Sequence, residues 1–411
     1  MYQQRIKNLL KHLDDHSFAL FSSGYAPKKS ADQHYHYEVN RNFYYLTGID
    51  QAHSYLLIIK GLEVKTILFI ERRSPQRILW DGDVLSFEKA KEISGVDVVL
   101  SNTELDTFIG SILSNTRQAV YGKLHEVYFD FQGGFGVKEF SEEYSQKLNK
   151  SFPYLNMKDL SLELSNLRSV KDESEVEHIK EAIKITNEGI NLMMKHAKAG
   201  MIEHEIEAYF DFTMKKHGVK PSFHTIAASG ANGCVLHYDK NNKETKDNEL
   251  ILFDLGVFKN NYASDISRTF PVNAKFTKAQ KAYYQLVLDC NKLCIDYVKP
   301  GITWKELNEY AKDILSEGLI KLGKIKSKEE LINYYYHSIG HFLGLDVHDV
   351  GDYTKPLKEG QILTIEPGLY IKDENIGIRI EDNVLITKDG CINLSSEIIK
   401  EIKDIENFMK D

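Results

Sequence analysis

Cysteine is scarce in this chain. There are four among 411 residues, Cys234, Cys290, Cys294 and Cys391, and their spacing forms no disulfide framework. A small secreted scaffold stapled by disulfides is excluded, and the cytoplasm is the natural compartment. Cys290 and Cys294 stand at helical i, i+4 spacing, a pattern open to metal or redox work. Two buried thiols on one helix face is the simpler reading. Long apolar runs are missing too: residues 55–59 are typical, far short of a bilayer span. The opening Met1-Tyr2-Gln3-Gln4-Arg5 leads into mixed polar sequence, unlike the apolar core of a signal peptide. Positive charge is not in excess either. With 52 Lys and Arg against 60 Asp and Glu, the formal net charge is −8, which leaves no electrostatic footprint for nucleic acid. Neither nucleic acid nor membrane is expected as a partner. Finally, Gln132-Gly133-Gly134-Phe135-Gly136 is glycine-rich but lacks a following Lys-Ser/Thr, so it reads as a flexible loop and not a phosphate loop.

What is present is ordinary for a soluble globular protein: 42% hydrophobic and 27% charged residues. At 411 residues, one core is too few, and two domains are expected, 1–165 and 166–411. In the first, residues 17–21, 55–59 and 66–70 read as strands and 87–94 as a helix, an α/β pattern with helices flanking a sheet. Phe43-Tyr44-Tyr45-Leu46-Thr47-Gly48 reads, on composition, as an aromatic-rich strand ending at a glycine. In the second domain, Asp172 and Glu175 form a capping-box start. Val176, Ile179, Ile183, Thr186, Ile190 and Met193 then step by threes and fours along one helix face. Further helices are predicted over about 203–217, with Gly218 as the C-cap, 278–298 and 304–323. Each half of this region reads helix, helix, hairpin, like a diverged duplication.

Both hairpins carry carboxylates. Asp254 closes the apolar run Leu250-Ile251-Leu252-Phe253, and Asp265 follows eleven residues later. Their midpoint, Lys259-Asn260, is polar and turn-like, so a hairpin folded there sets the aspartates directly across from each other, about 5 Å apart. Glu366 and Glu381 are fifteen apart, with their midpoint in the polar Asp373-Glu374. Leu369-Tyr370-Ile371 and Ile376-Gly377-Ile378 flank that loop as candidate strands. Facing carboxylates repel unless one takes a proton or a cation lies between them. Four of them converging with one imidazole, His341, point to two divalent ions. Oxygen-rich donors with a single nitrogen suit manganese and tolerate cobalt or zinc. Such paired sites make hydroxide from water and polarise a carbonyl, which is hydrolase chemistry.

The strings Phe253–Gly256 (FDLG), Ser264–Phe270 (SDISRTF), His337–Gly351 (HSIGHFLGLDVHDVG), Thr364–Tyr370 (TIEPGLY) and Gly377–Asp382 (GIRIED) occur in that order. Together they resemble the pita-bread metallopeptidase family, in its Xaa-Pro branch of aminopeptidase P and prolidase, over the whole chain. The resemblance implies an α/β N-terminal domain of the aminopeptidase P kind. It also implies an α+β pita-bread catalytic domain, as in creatinase and methionine aminopeptidase, with its pseudo-two-fold halves. The implied reaction is hydrolysis of the N-terminal Xaa-Pro bond of a peptide with proline in second position, through a dinuclear metal centre and a bridging hydroxide. Asp254 is then expected to chelate one metal with both oxygens, Asp265 and Glu381 to bridge the two metals, and His341 and Glu366 to complete the other. Glu366, ahead of Pro367-Gly368, is also the expected proton acceptor.

Three more histidines and an arginine take roles by the same resemblance. His237 and His337 line the substrate pocket, His337 without being a ligand. His348 hydrogen-bonds the substrate near the scissile carbonyl as negative charge develops there. Arg379, two residues before Glu381 and on the same strand face, pairs with Asp254 and orients it. Trp80 is similar to a tryptophan that family members place near a neighbouring subunit's active site, with a core anchor as the alternative. The following Asp81-Gly82-Asp83 departs from the more basic stretch often found there. The family implies a homodimer or homotetramer. Prolidase, on the same scaffold, is the nearest rival activity. Methionine aminopeptidase usually lacks the first domain, and a metal-free binding protein would not need an intact donor set.

Overall fold

The computed structural model describes residues 1–114, 119–132 and 139–410. Apart from Gln132, the expected glycine-rich loop lies outside them. The chain divides into two compact units, Met1–Arg168 and Ser169–Asp411.

The first unit is built on six strands: β1 (Ser17–Ser22), β2 (Tyr55–Lys60), β3 (Val64–Ile70), β4 (Val98–Ser101), β5 (Glu126–Phe129) and β6 (Asn156–Asp159). Their order in the sheet is β4-β3-β2-β1-β5-β6. The central β1, β2 and β3 run antiparallel, while β4, β5 and β6 join in parallel. Phe18 and Leu20 of β1 face one core with Leu57, Ile59, Ile67, Phe69 and Ile109. Ala19 and Phe21 on the other face are equally buried. Both faces are covered, which is why these strands read as unbroken apolar runs and not as alternation. The helix Phe87–Ser94 forms as expected.

Residues 43–47 depart from the expectation. They lie in a helix, Arg41–Thr47, not a strand. The Asn40 side chain accepts from the Phe43 amide at 3.0 Å, and Gly48 closes the helix with φ 69°. End signals on both sides outweigh the β preference of aromatic residues, a preference that is mostly packing. Trp80, on the short helix Pro75–Asp81, is 89% exposed, so it is not a core anchor.

The second unit repeats helix, helix, hairpin. Its first helix, Glu173–His196, opens on the Asp172 capping box: Asp172 Oδ1 accepts from the Glu175 amide at 3.1 Å, and Glu175 Oε2 from the Asp172 amide at 3.0 Å. Such a cap contributes about 1 kcal/mol. All six residues of the predicted apolar stripe are buried. Helices Glu203–His217, Lys278–Tyr297 and Trp304–Lys321 follow. Cys290 and Cys294 are free, fully buried and 4.0 Å apart on one of them.

The first hairpin consists of β7 (Leu250–Leu255) continuing as β8 (Val257–Lys259), then β9 (Tyr262–Ala263) continuing as β10 (Ile266–Pro271). One register runs throughout, from Leu250↔Pro271 to Lys259↔Tyr262. The turn is Asn260-Asn261, both left-handed at φ 50° and 62°, the backbone of a type I′ hairpin turn. This overturns the expected pairing. Asp254 stands opposite Ser267, not Asp265. Asp265 lies at the break between β9 and β10, on the diagonal from Asp254. Gly256 sits at the matching break, where a Cβ would meet the Ser264 carbonyl oxygen at 1.9 Å.

The second hairpin has the same construction, from β11 (Ile362–Ile365), β12 (Gly368–Ile371), β13 (Ile376–Arg379) and β14 (Asp382–Ile386). Ile365↔Asp382 and Gly368↔Arg379 share one register, so Glu366 and Glu381 stay in step across it, as expected. Both lie at strand breaks. Three of the four carboxylates therefore sit where the ladder is interrupted and the backbone can turn a side chain inward.

Candidate metal centre

The two hairpins bring their acidic residues to one place with the segment carrying His341. Asp265, His341 and Glu381 offer ligand atoms all within 4.8 Å of one another. His341 Nε2 is 3.3 Å from Asp265 Oδ2 and 3.7 Å from Glu366 Oε1. Its Nδ1 lies 3.0 Å from the Phe342 carbonyl, which assigns the proton to that nitrogen and leaves Nε2 bare toward the carboxylates. The Thr364 hydroxyl accepts from the His341 amide at 3.0 Å. Gly340 permits this approach, since a Cβ there would stand 2.0 Å from the Thr364 carbonyl oxygen.

Electrostatics say that a cation belongs here. Burial, then the charges of Asp254 and Glu366, push the Asp265 carboxyl well above its usual range. Burial, then Asp265, Glu366 and Asp254, do the same to Glu381. Burial raises Glu366 to about 7 against the opposing pull of His341 and Arg379. Two carboxylate oxygens, Asp254 Oδ1 and Glu381 Oε1, are buried without a hydrogen-bond partner among the described residues. Orphaned acceptors of this kind are costly, and a cation between them removes the cost. The donor set, one imidazole nitrogen and several carboxylate oxygens, fits divalent metal ions.

The second oxygen of Asp254 is fixed by the protein: Arg379 Nη2 donates to Oδ2 at 2.6 Å. Arg379 Nη1 donates to the Tyr370 hydroxyl at 3.1 Å, and Tyr370 lies 2.9 Å from His337 Nε2. His337 is in irregular backbone, not on a helix with His341. Burial, then Arg379, lowers it to about 4, so it is a neutral imidazole at ordinary pH. His348 packs edge-on against His341, with ring centroids 4.3 Å apart. Burial and His341 lower its pKa. His237 is exposed and lies within electrostatic reach of both His337 and His348.

Similarity to known proteins agrees with this geometry. Residues 177–388 match metallopeptidase family M24, and residues 2–121 match the aminopeptidase P N-terminal domain. The chain belongs to this metallopeptidase family. Xaa-Pro aminopeptidase of Escherichia coli is 32% identical over 99% of this chain and 97% of its own length. A solved aminopeptidase P-type structure from Bacillus anthracis superposes with a TM-score of 0.96 at 42% identity, covering 100% of this chain and 97% of that one. Aminopeptidase P from E. coli with the inhibitor Pro-Leu does so with a TM-score of 0.90 at 32% identity, again over 100% and 97% of the two chains. The architecture is an aminopeptidase P N-terminal domain followed by a pita-bread metallopeptidase domain.

Several residues around the acidic cluster were not singled out from sequence. Tyr370, fully buried, links His337 to Arg379. Arg268, also fully buried, donates from Nη1 to the carbonyls of Ser267 at 2.9 Å and Glu381 at 2.5 Å, and from Nη2 to Asp382 at 2.8 Å. It joins the two hairpins beneath the acidic cluster. Lys171 pairs with Asp349 at 2.9 Å with both side chains almost wholly buried, anchoring the residue next to His348. Position gave a hint only for Ser267, which follows Asp265 by two and so shares its strand face.

Proposed function

We propose that this chain is a metal-dependent aminopeptidase that releases the first residue of peptides with proline in second position. The observation that carries the reading is the pair of orphaned buried oxygens on Asp254 and Glu381, in one cluster with Asp265, His341 and Glu366. Full-length likeness to Xaa-Pro aminopeptidases supports it. Asp254, Asp265, His341, Glu366 and Glu381 are the residues assigned to hold two divalent ions, manganese foremost. Two such ions, when bound, polarise the peptide carbonyl and supply a nucleophile from water near neutral pH.

The chain's own groups do the rest. Glu366, beside His341 and ahead of Pro367-Gly368, is assigned to take a proton and return it to the leaving nitrogen. His348, neutral and exposed beside His341, is assigned to donate to the carbonyl oxygen as charge builds on it. His237 and His337 are assigned to the walls of the substrate pocket. Arg379 holds Asp254 in place. A proline after the scissile bond brings a fixed φ and no amide hydrogen, features a confined pocket can select.

A homodimer or homotetramer is part of the proposal, supported by Leu79 and Trp80, which are 85% and 89% exposed on one short helix. The cytoplasm is supported by four free cysteines. Among the described residues no helix is long and apolar enough to cross a membrane. The test is cleavage of Xaa-Pro-Pro, Xaa-Ala-Pro and Xaa-Pro peptides with and without added manganese, read by mass spectrometry, with light scattering on the same preparation. Release of the first residue from Xaa-Pro-Pro, stimulated by manganese, is expected. Cleavage of the dipeptide alone would transfer the chain to prolidase activity, and equal cleavage of the Xaa-Ala bond would overturn the specificity.

A further inference from the structure

We infer that Ser267 is a positioning residue that ties the charge of Arg379 to Glu381 and so presents Glu381 Oε1 to the metal. This deepens the metallopeptidase reading and rests on it. Ser267 is fully buried and stands directly opposite Asp254 in the first hairpin. Arg379 Nε donates to Ser267 Oγ at 2.8 Å, and Ser267 Oγ donates to Glu381 Oε2 at 2.9 Å. The direction of these bonds is forced. A guanidinium nitrogen has no acceptor, so the serine oxygen must accept from it, and its single proton is left for the carboxylate.

One guanidinium then indexes both hairpins. Its Nη2 fixes Asp254 Oδ2, and its Nε, through one hydroxyl, fixes Glu381 Oε2. The two oxygens left without partners are the companions of those two, Asp254 Oδ1 and Glu381 Oε1. Each carboxylate thus has one oxygen oriented by a protein donor and one with no protein donor among the described residues. Both ends of the serine link are charge-assisted, the stronger class of hydrogen bond. The backbone makes the placement rigid: the Glu381 amide donates to the Ser267 carbonyl at 3.1 Å, and Arg268 clasps the carbonyls of both residues. The hydroxyl is therefore the remaining freedom, and it decides the rotation of the Glu381 carboxylate.

The test is manganese binding to the full chain, by calorimetry and by metal content after gel filtration, alongside turnover. Groups that orient ligands typically change metal affinity by about 10–100-fold when removed. Ser267→Ala is expected to weaken one of two manganese sites by that amount, with Ser267→Thr close to the parent. Should the alanine variant fail to fold, Ser267→Val against Ser267→Thr compares equal volumes with and without the hydroxyl. Two sites of parental affinity in Ser267→Ala, or the same affinity in the Thr and Val variants, overturns the role. If the parent binds two manganese ions but cleaves no Xaa-Pro peptide, the functional reading falls while the affinities still decide the serine. A parent that binds no manganese overturns both.

Discussion

The two carboxylate hairpins look alike in sequence and differ in how their acids meet. In the second, a single register carries Ile365↔Asp382 and Gly368↔Arg379, and the glutamates between them fall in step. In the first, the register places Ser267 opposite Asp254, and Asp265 sits on the diagonal. The symmetric solution of acid facing acid is used once. The other hairpin offsets its acids and gives the facing position to a hydroxyl. One acid of each hairpin has an oxygen held by a protein donor and an oxygen without one, Asp254 through Arg379 and Glu381 through Ser267. Arg379, from the second hairpin, bonds both Asp254 and Ser267 in the first.

The strongest way to break the comparison is to remove one acid from each hairpin. Asp265→Ala and Glu381→Ala are each expected to abolish turnover and release at least one metal ion, since each is assigned to both. Metal content and peptide cleavage measured together check this. Near-normal turnover with two ions bound in either variant would dissolve the equivalence of the hairpins as halves of one site.

A second test asks what holds the hairpins together when no metal contributes. Burial alone would raise the Asp382 carboxyl, but Arg268 and Lys400 outweigh it and hold it at about 2, against the usual 3.8. A depressed carboxyl contributes stability that is complete above pH 3.8 and is lost as the pH falls from there toward about 2. Asp382→Asn leaves the fully buried Arg268 and its neighbour Lys400 uncompensated, and breaking such a buried pair costs about 3–5 kcal/mol. Denaturant unfolding in a chelator, at pH 7, is the measurement. A loss below 1 kcal/mol on the scale of an exposed pair, roughly 0–1 kcal/mol, would remove Arg268 as the link between hairpins.

His348 belongs to neither hairpin, so it separates metal holding from substrate handling. His348→Ala is expected to keep both ions and lower turnover by about 10²–10³, the usual cost of one transition-state hydrogen bond. Metal loss comparable to His341→Ala would instead make it part of the cation site.

Much of this architecture is legible in the chain, for identifiable reasons. The long helix Glu173–His196 announces itself through its capping box and its apolar stripe. The glutamate hairpin is legible because its midpoint falls in the observed turn Lys372–Glu374. The aspartate hairpin misleads because equal spacing about a polar midpoint ignores turn chemistry. Asn260-Asn261 is a dipeptide suited to two left-handed residues, and centring the turn there sets the register that pairs Asp254 with Ser267. The strand expected at residues 43–47 fails for a similar reason, since Asn40 and Gly48 mark helix ends that composition does not weigh. Arg268 is silent in sequence and Ser267 nearly so, because they join atoms more than a hundred residues apart, both reaching Glu381; Tyr370 is silent because nothing in its strand pattern shows that its hydroxyl meets His337 and Arg379.

The smallest expected effect returns to those turns. The first hairpin uses two left-handed asparagines, Asn260 and Asn261, and the second uses one, Asn375 at φ 56°. An L-residue with a Cβ and no local polar compensation costs about 1–2 kcal/mol in that conformation. Asn375→Ala is therefore expected to lower stability by about that amount and Asn261→Ala by at least that amount, and Asn375→Gly to leave it nearly unchanged or slightly higher. Asn260 carries an additional bond, from Nδ2 to His178 Nδ1 at 3.1 Å. Asn260→Gly removes this bond while relieving the backbone, so any loss it shows isolates a contact worth about 0.5–1.5 kcal/mol. Chemical denaturation of these three variants and Asn260→Gly measures all of this on one scale. If alanine at 261 cost nothing, the left-handed turn would not be what fixes the first register, and the offset of Asp265 from Asp254 would have to originate at the strand break beside Gly256.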